Sequence, residues 1–253
     1  MVVIAKLLTL CSAALVVAAP APAPAATEDN FEAWLGGAVL DKCLAAGDCQ
    51  QRLLDNPYYV AANKTGLHKR FDCQGSGIHT IVTSGSTKVK FGSVNPHDLF
   101  HHVYDVCSDG GCDSGTPYSL STKYTTALGV RGASISMTAQ GVYSGWDVRN
   151  ALAESLSKAA SQNQDWQDEV FCPSGGRACG FGRLWQAYAP RFQQAALFDG
   201  CAQWGWMNAQ TNGLTGVTGS SACSVVVGAL GSIVGTLVPY GGLSVPIAAA
   251  LCT

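Results

Sequence analysis

An α+β fold stapled by disulfides is predicted from three observations. Ile78–Val82 and Lys88–Val94 read as strands flanking a Ser84-Gly85-Ser86 turn, a β-hairpin pattern. Trp146 to about Asn163 carries Trp146, Ala151, Leu152, Ser155, Leu156 and Ala159 in a helical stripe, with Asp147 near the positive end of the helix dipole. Eight cysteines follow residue 70, an even number that can pair completely in an oxidising compartment. The expected architecture is a hairpin and further strands with two to three helices, followed by a glycine-rich apolar C-terminal helical segment.

Lys6 precedes the apolar run Leu7–Ala19 and a series of Ala-Pro repeats, the order of charged, apolar and small residues found in a secretory signal peptide. The run falls short of the roughly 20 residues needed to cross a bilayer. Cleavage near Ala23-Pro24-Ala25 is therefore expected, making residues 1–25 the signal peptide, removing Cys11 and sending the product out of the cell.

Residues 26–70 read as a pro-peptide. Phe31, Ala33, Trp34, Val39, Leu40, Cys43 and Leu44 recur at intervals of three and four, an amphipathic helical pattern able to dock on the rest of the protein. The single glycosylation sequon, Asn63-Lys64-Thr65, also lies here. A dibasic pair, Lys69-Arg70, follows a stretch containing Gly66 and precedes Phe71-Asp72-Cys73. Cutting after Arg70 leaves Cys43 and Cys49 on one side, and Cys73, Cys107, Cys112, Cys172, Cys179, Cys201, Cys223 and Cys252 on the other. That division fits one local loop in the pro-segment and four bridges in a mature domain, 71–253.

Acidic and basic side chains nearly balance in 71–253, eleven against nine. Nucleic-acid binding, which needs clustered cations to displace counterions, is not expected unless the protein is a nuclease. Asn95-Pro96 reads as an N-cap followed by proline at the first helical position, opening a short helix to about Val106. Cys107 and Cys112 bracket a glycine-containing loop and either close on each other or pin it to neighbours. Ile135, Met137 and Ala139 alternate as in a half-buried strand over 133–142. Phe181–Phe198 is predicted to be helical, kinked or split at Pro190.

No charged side chain follows Asp199. Gly228, Gly231 and Gly235 would line one face of a helix, Pro239-Tyr240-Gly241-Gly242 would turn the chain, and a Cys223–Cys252 bridge would staple the apolar hairpin 223–252. Three readings of this tail compete: buried core, a membrane-entering hairpin with Val227 and Ile233 in contact with lipid, and a glycolipid-anchor signal.

Catalytic signals are sparse. There is no G-x-S-x-G elbow and no phosphate loop. His97 and His101 sit four apart, with His102 and Asp105 nearby, which is at most half a zinc site, so no metal and no cofactor are expected. An acid/base pair drawn from His79, His101 and Glu154 would serve a ribonuclease-like hydrolase. Trp185, Tyr188, Trp204 and Trp206 would serve a polysaccharide- or protein-binding module.

The layout of signal segment, pro-segment, Lys69-Arg70 and a cysteine-rich domain beginning Phe71-Asp72-Cys73 resembles fungal secreted proteins matured by a kexin-type protease, among them killer preprotoxins and host-directed effectors. The resemblance implies a secreted, non-catalytic toxin or effector, kept quiet until its pro-segment is removed. Its partners would be the kexin-type protease during maturation and then a target-cell membrane or host protein.

Overall fold

The computed structural model describes residues 28–63, 77–126, 129–172, 182–214, 237–240 and 242–252. A 3-10 turn over Glu28–Ala33 leads to α1 (Gly37–Ala46), α2 (Cys49–Asp55) and α3 (Pro57–Asn63). Next come β1 (Ile78–Ser84), β2 (Lys88–Gly92), α4 (Pro96–His101) and α5 (Val103–Val106). They are followed by β3 (Tyr118–Thr126), β4 (Gly129–Val142) and the long helix α6 (Trp146–Gln162). Strands β5 (Asp165–Phe171), β6 (Gly182–Pro190), β7 (Phe192–Asp199), β8 (Ala202–Thr211), β9 (Leu237–Tyr240) and β10 (Leu243–Cys252) complete an α+β chain.

Seven strands form one sheet in the order β3-β4-β8-β7-β1-β10-β9, antiparallel except for the parallel pair β1/β10. A smaller antiparallel sheet runs β2-β6-β5. The large sheet is covered on both faces, so consecutive residues of its central strands, Ile81-Val82 and Ala195 to Phe198, are buried together. On one face Val82, Met137, Ala195 and Leu197 pack with Ala151, Leu152, Leu156 and Ala159 of α6. On the other, Ile81, Ala196 and Phe198 pack with Tyr58 of α3, with Trp34 and Trp206 alongside. Neighbours Ile81 and Val82 thus serve opposite layers, as the period of a strand requires.

The expected N-terminal stripe holds in part: Phe31, Val39 and Cys43 are buried and Trp34 and Leu40 half-buried, whereas Ala33 and Leu44 are exposed. Phe31, Leu35, Val39, Cys43, Cys49 and Leu53 are buried together, with Val142 and Trp206 of the sheet packed against them. The helix expected after Asn95-Pro96 is present, with the Asn95 side chain accepting from the His97 backbone N–H. The Trp146 helix and the 133–142 strand are present as well.

Two expectations are corrected. β1 and β2 are strands but not a hairpin: β1 is paired on both edges, by β7 and β10, and β2 leaves to join β6. Phe181–Phe198 is not a kinked helix: its described part, from Gly182, is two strands in different sheets, and Pro190–Arg191 is the crossing between them. The two crossings lie side by side, joined by Gly85 N–H to Phe192 O at 2.9 Å and Arg191 N–H to Thr87 O at 2.8 Å. Local helix propensity at Ala187, Ala189, Ala195 and Ala196 is overridden by the burial available to strands on two covered faces. The helical segment expected around Gly228, Gly231 and Gly235 lies outside the described residues; the described part of the tail is the antiparallel strand pair β9/β10. β10 lies against β1 from Thr80↔Ile247 to Ser84↔Cys252, with Val238 and Ile247 buried in the α6 core.

Cys43 pairs with Cys49 and Cys107 with Cys112, so the latter two close on each other. Cys172 and Cys201 are disulfide-bonded too. Lys69, Arg70, Cys73, Cys179, Cys223, Val227 and Ile233 lie outside the described residues, and Asn63 ends α3. Among the described residues no helix is long and apolar enough to cross a membrane.

Candidate functional site

The contact between the N-terminal layer and the sheet is built around one buried amide and one buried imidazole. Asn56-Pro57 starts α3: Asn56 Oδ1 accepts from the backbone N–H of Tyr58 at 2.9 Å and of Tyr59 at 3.3 Å. Its Nδ2 donates to the carbonyls of Trp34 at 2.7 Å and Cys201 at 3.1 Å. A single side chain therefore caps the helix and ties it to both the preceding turn and the sheet.

So placed, α3 sets the Tyr58 hydroxyl 2.5 Å from Nε2 of His79, which is fully buried. His79 Nδ1 lies 2.9 Å from the Gly77 carbonyl. A carbonyl only accepts, so Nδ1 carries the proton and Nε2 takes the Tyr58 O–H. Phe198 stacks on the imidazole and meets Tyr58 edge-on. Burial lowers the His79 pKa, against the smaller opposing effects of the Gly77 hydrogen bond and the Asp199 carboxylate. Burial also pushes Tyr58 up to about 12. Both groups are thus held neutral, and His79 is closed to solvent as an acid or base.

Along the same seam Leu35 bridges Gln203: Gly36 N–H donates to Gln203 O and Gln203 N–H to Trp34 O, each at 2.9 Å. The bridge brings the backbone against Trp204, where a Cβ at Gly36 would stand 2.6 Å from the indole nitrogen. Arg52 of α2 lies over the Trp206 ring, 5.6 Å from its centroid. Beside it is a cleft of about 140 Å³ lined by Arg52, Asp55, Gln194, Gln203, Trp206 and Asn208.

A second cluster occupies the surface of α4, α5 and α6. His97 and His101 stack at 5.7 Å, and His101 meets the Tyr104 ring at 4.9 Å. The Arg149 guanidinium lies over both Tyr104, at 4.8 Å, and Trp146, at 4.6 Å. Tyr104 is pushed up to about 12 by burial and then by Glu154 beside it, with Arg149 pulling the other way. Glu154 is also 3.5 Å from Lys158. His102 joins Asp105 at 2.5 Å through Nδ1 and the Tyr118 hydroxyl at 3.0 Å through Nε2. Of the three acid/base candidates, the fold brings His101 and Glu154 to one tyrosine and leaves His79 on the opposite side of the sheet.

No protein-family model, curated protein or solved structure matches this chain. What the site can do is therefore read from its own groups. Among the described residues no three His, Cys, Asp or Glu side chains converge to hold a metal. The tryptophans grouped in the sequence separate: Trp204 and Trp206 contact the N-terminal layer, whereas Trp185 stands exposed on the small sheet and Tyr188 is buried in it.

The small sheet holds a charged cluster of its own. Lys90 Nζ, buried, contacts both Glu169 oxygens at 2.6 and 2.5 Å, and Glu169 also accepts from the Tyr188 and Thr125 hydroxyls. Lys88, likewise buried, pairs with Asp165. Lys88, Lys90, Asp165, Asn56, Tyr58 and Arg149 are absent from the sequence-derived candidates, whereas Tyr188 and His102 are among them in other roles. One signal was present: Asn56-Pro57 repeats the Asn95-Pro96 pattern that marks α4.

Proposed function

We propose that this chain is the precursor of a secreted protein of the killer-toxin or effector type, held latent by residues 26–70 until a kexin-type protease cuts after Lys69-Arg70. The observation that carries this reading is the docking of 28–63 as a complete layer over one face of the large sheet. The segment joins that sheet by a β-bridge, a hydrogen bond from the Asn56 amide to the Cys201 carbonyl and a Tyr–His hydrogen bond. Its removal would uncover Ile81, Ala196, Phe198, Trp206 and His79 together. An apolar face of that kind, rimmed by polar groups, suits contact with another macromolecule. The paired cysteines support an oxidising destination.

In this reading the target is a membrane or protein of another cell, and the face beneath the pro-segment does the work. The 237–252 hairpin stays in the sheet, and a lipid-contacting role for Val227 and Ile233 would fall on the stretch before it. The test compares the protease-cut protein with an uncleavable K69A/R70A chain. The cut protein is expected to show faster hydrogen exchange in β1, β7 and β8 and to gain activity in liposome dye release or target-cell killing. Equal activity from the uncleavable chain would overturn the proposal.

A hydrolase remains as a second reading because His101 and Glu154 both reach Tyr104. Its expected mark is ribonuclease activity that disappears in a well-folded H101A variant. Absence of such activity in the parent protein ends this reading.

A further inference from the structure

We propose that the cleft between Trp146, Arg149 and the Cys107–Cys112 loop binds a neutral oligosaccharide. It measures about 300 Å³ and is lined by Tyr104, Asp105, Ser108, Asp113, Trp146 and Arg149, among others. That volume is at the lower end of small-molecule sites, roughly 300–1,000 Å³.

Arg149 is the first reason. Its guanidinium lies over two aromatic rings, its Nε is buried without an acceptor, and among the described residues its side chain makes no ion pair or hydrogen bond. A cation fixed in this way keeps its remaining donors for a ligand and loses little side-chain freedom when it binds. Trp146 is the second reason: it opens α6 and is 52 % exposed, a large ring face beside those donors.

The rim is rigid. Besides the disulfide, Tyr143 donates to Ser108 O at 2.8 Å, Gly145 N–H to Asp109 O at 2.8 Å and Asp113 N–H to Val106 O at 2.9 Å. It presents carboxylates as well: Asp105 is engaged by His102, and Asp113 is held ionised by hydrogen bonds from Thr116 and Gly115.

Charge selects the ligand class. The two carboxylates on the rim disfavour an anion, and the fixed positive charge of Arg149 disfavours a cation. Sugar hydroxyls satisfy both sides at once, accepting from Arg149 and donating to Asp105 or Asp113, while the apolar face of a pyranose lies on Trp146. The proposal does not depend on cleavage at Lys69-Arg70.

The test is calorimetry and tryptophan fluorescence on the full secreted chain with oligosaccharides of chitin, laminarin and mannan, and with oligogalacturonate as the anionic control. At least one neutral oligosaccharide is expected to bind with Kd on the order of 1 mM or tighter, as suits a small open site. Affinity should change little with salt and fall about tenfold in W146A, R149A and R149K, whose lysine cannot stack or present a fork. Melting curves of W146A, whose ring is half in solvent, keep a folding defect from being read as lost binding. The proposal is overturned if no neutral sugar binds at millimolar concentration, if the variants bind as well as the parent, or if only oligogalacturonate binds and salt abolishes it.

Discussion

Replacing Glu169 by alanine is expected to lower the melting temperature by about 6–12 °C. The Lys90 side chain is 7 % exposed and its Nζ sits on both oxygens of Glu169, itself 25 % exposed. Removing the carboxylate leaves an ammonium buried with no counter-charge and strips the acceptor from Tyr188 and Thr125. Breaking a buried pair from one side costs about 3–5 kcal/mol, and the partial exposure of Glu169 places this case near 3. For a chain of this size each kcal/mol is worth about 2–4 °C.

The cost comes from the stranded charge and not from the pair's net worth. The double variant K90M/E169L, which replaces both ends with apolar groups, is therefore expected to recover most of the loss. A single E169A variant within about 2 °C of the parent would mean that water reaches Lys90 freely and that the cluster does not hold the small sheet to β3.

How much of this was legible follows from the range of each interaction. Asn95-Pro96, the Trp146 stripe and the 133–142 alternation are local patterns, and each yields the element expected. Pairing partners are not local. Nothing between Ser84 and Lys88 says that β1 takes β7 and β10 as neighbours while β2 crosses to another sheet, because that choice is made by strands far along the chain. The Phe181–Phe198 misreading has the same origin, since alanine and glutamine favour a helix until two covered sheet faces outbid that preference.

The sites were hidden for a related reason. Lys88 and Lys90 look like solvated charges in a strand until Asp165 and Glu169 arrive from β5. His79 looks like a candidate base until Tyr58, on a separate helix, closes over it. His101 and Glu154 stand more than fifty residues apart in the sequence, and only the fold brings both to Tyr104.

Truncating Tyr58 to alanine is expected to loosen the N-terminal layer by about 3–5 kcal/mol, the usual cost of removing a buried aromatic ring. Tyr58 is 5 % exposed, and with it go the hydrogen bond to His79 and the edge contact with Phe198. In the uncut chain His79 should change from inert to readily modified by diethylpyrocarbonate, while α6 keeps its hydrogen-exchange protection on the far face of the sheet. Equal modification rates in parent and variant would show that Tyr58 is not the cover.

Acid should act on the parent in the same direction. Because burial lowers the folded-state pKa of His79, the unfolded or undocked chain binds more protons, so the docked state gains stability as pH rises. The contribution of His79 is fully present above the ordinary imidazole value of about 6.5 and is lost progressively as pH falls from there through the lower folded-state value. The groups facing the ring are Tyr58, neutral throughout this range, and Asp199, whose charge moderates the loss without reversing it. The pH dependence of layer opening, followed by exchange of the β1 amides, should therefore flatten in His79→Gln, which keeps an acceptor for Tyr58 and a donor for Gly77 but cannot titrate. An unchanged slope in that variant would assign the acid response to other groups and leave His79 as a packing residue alone.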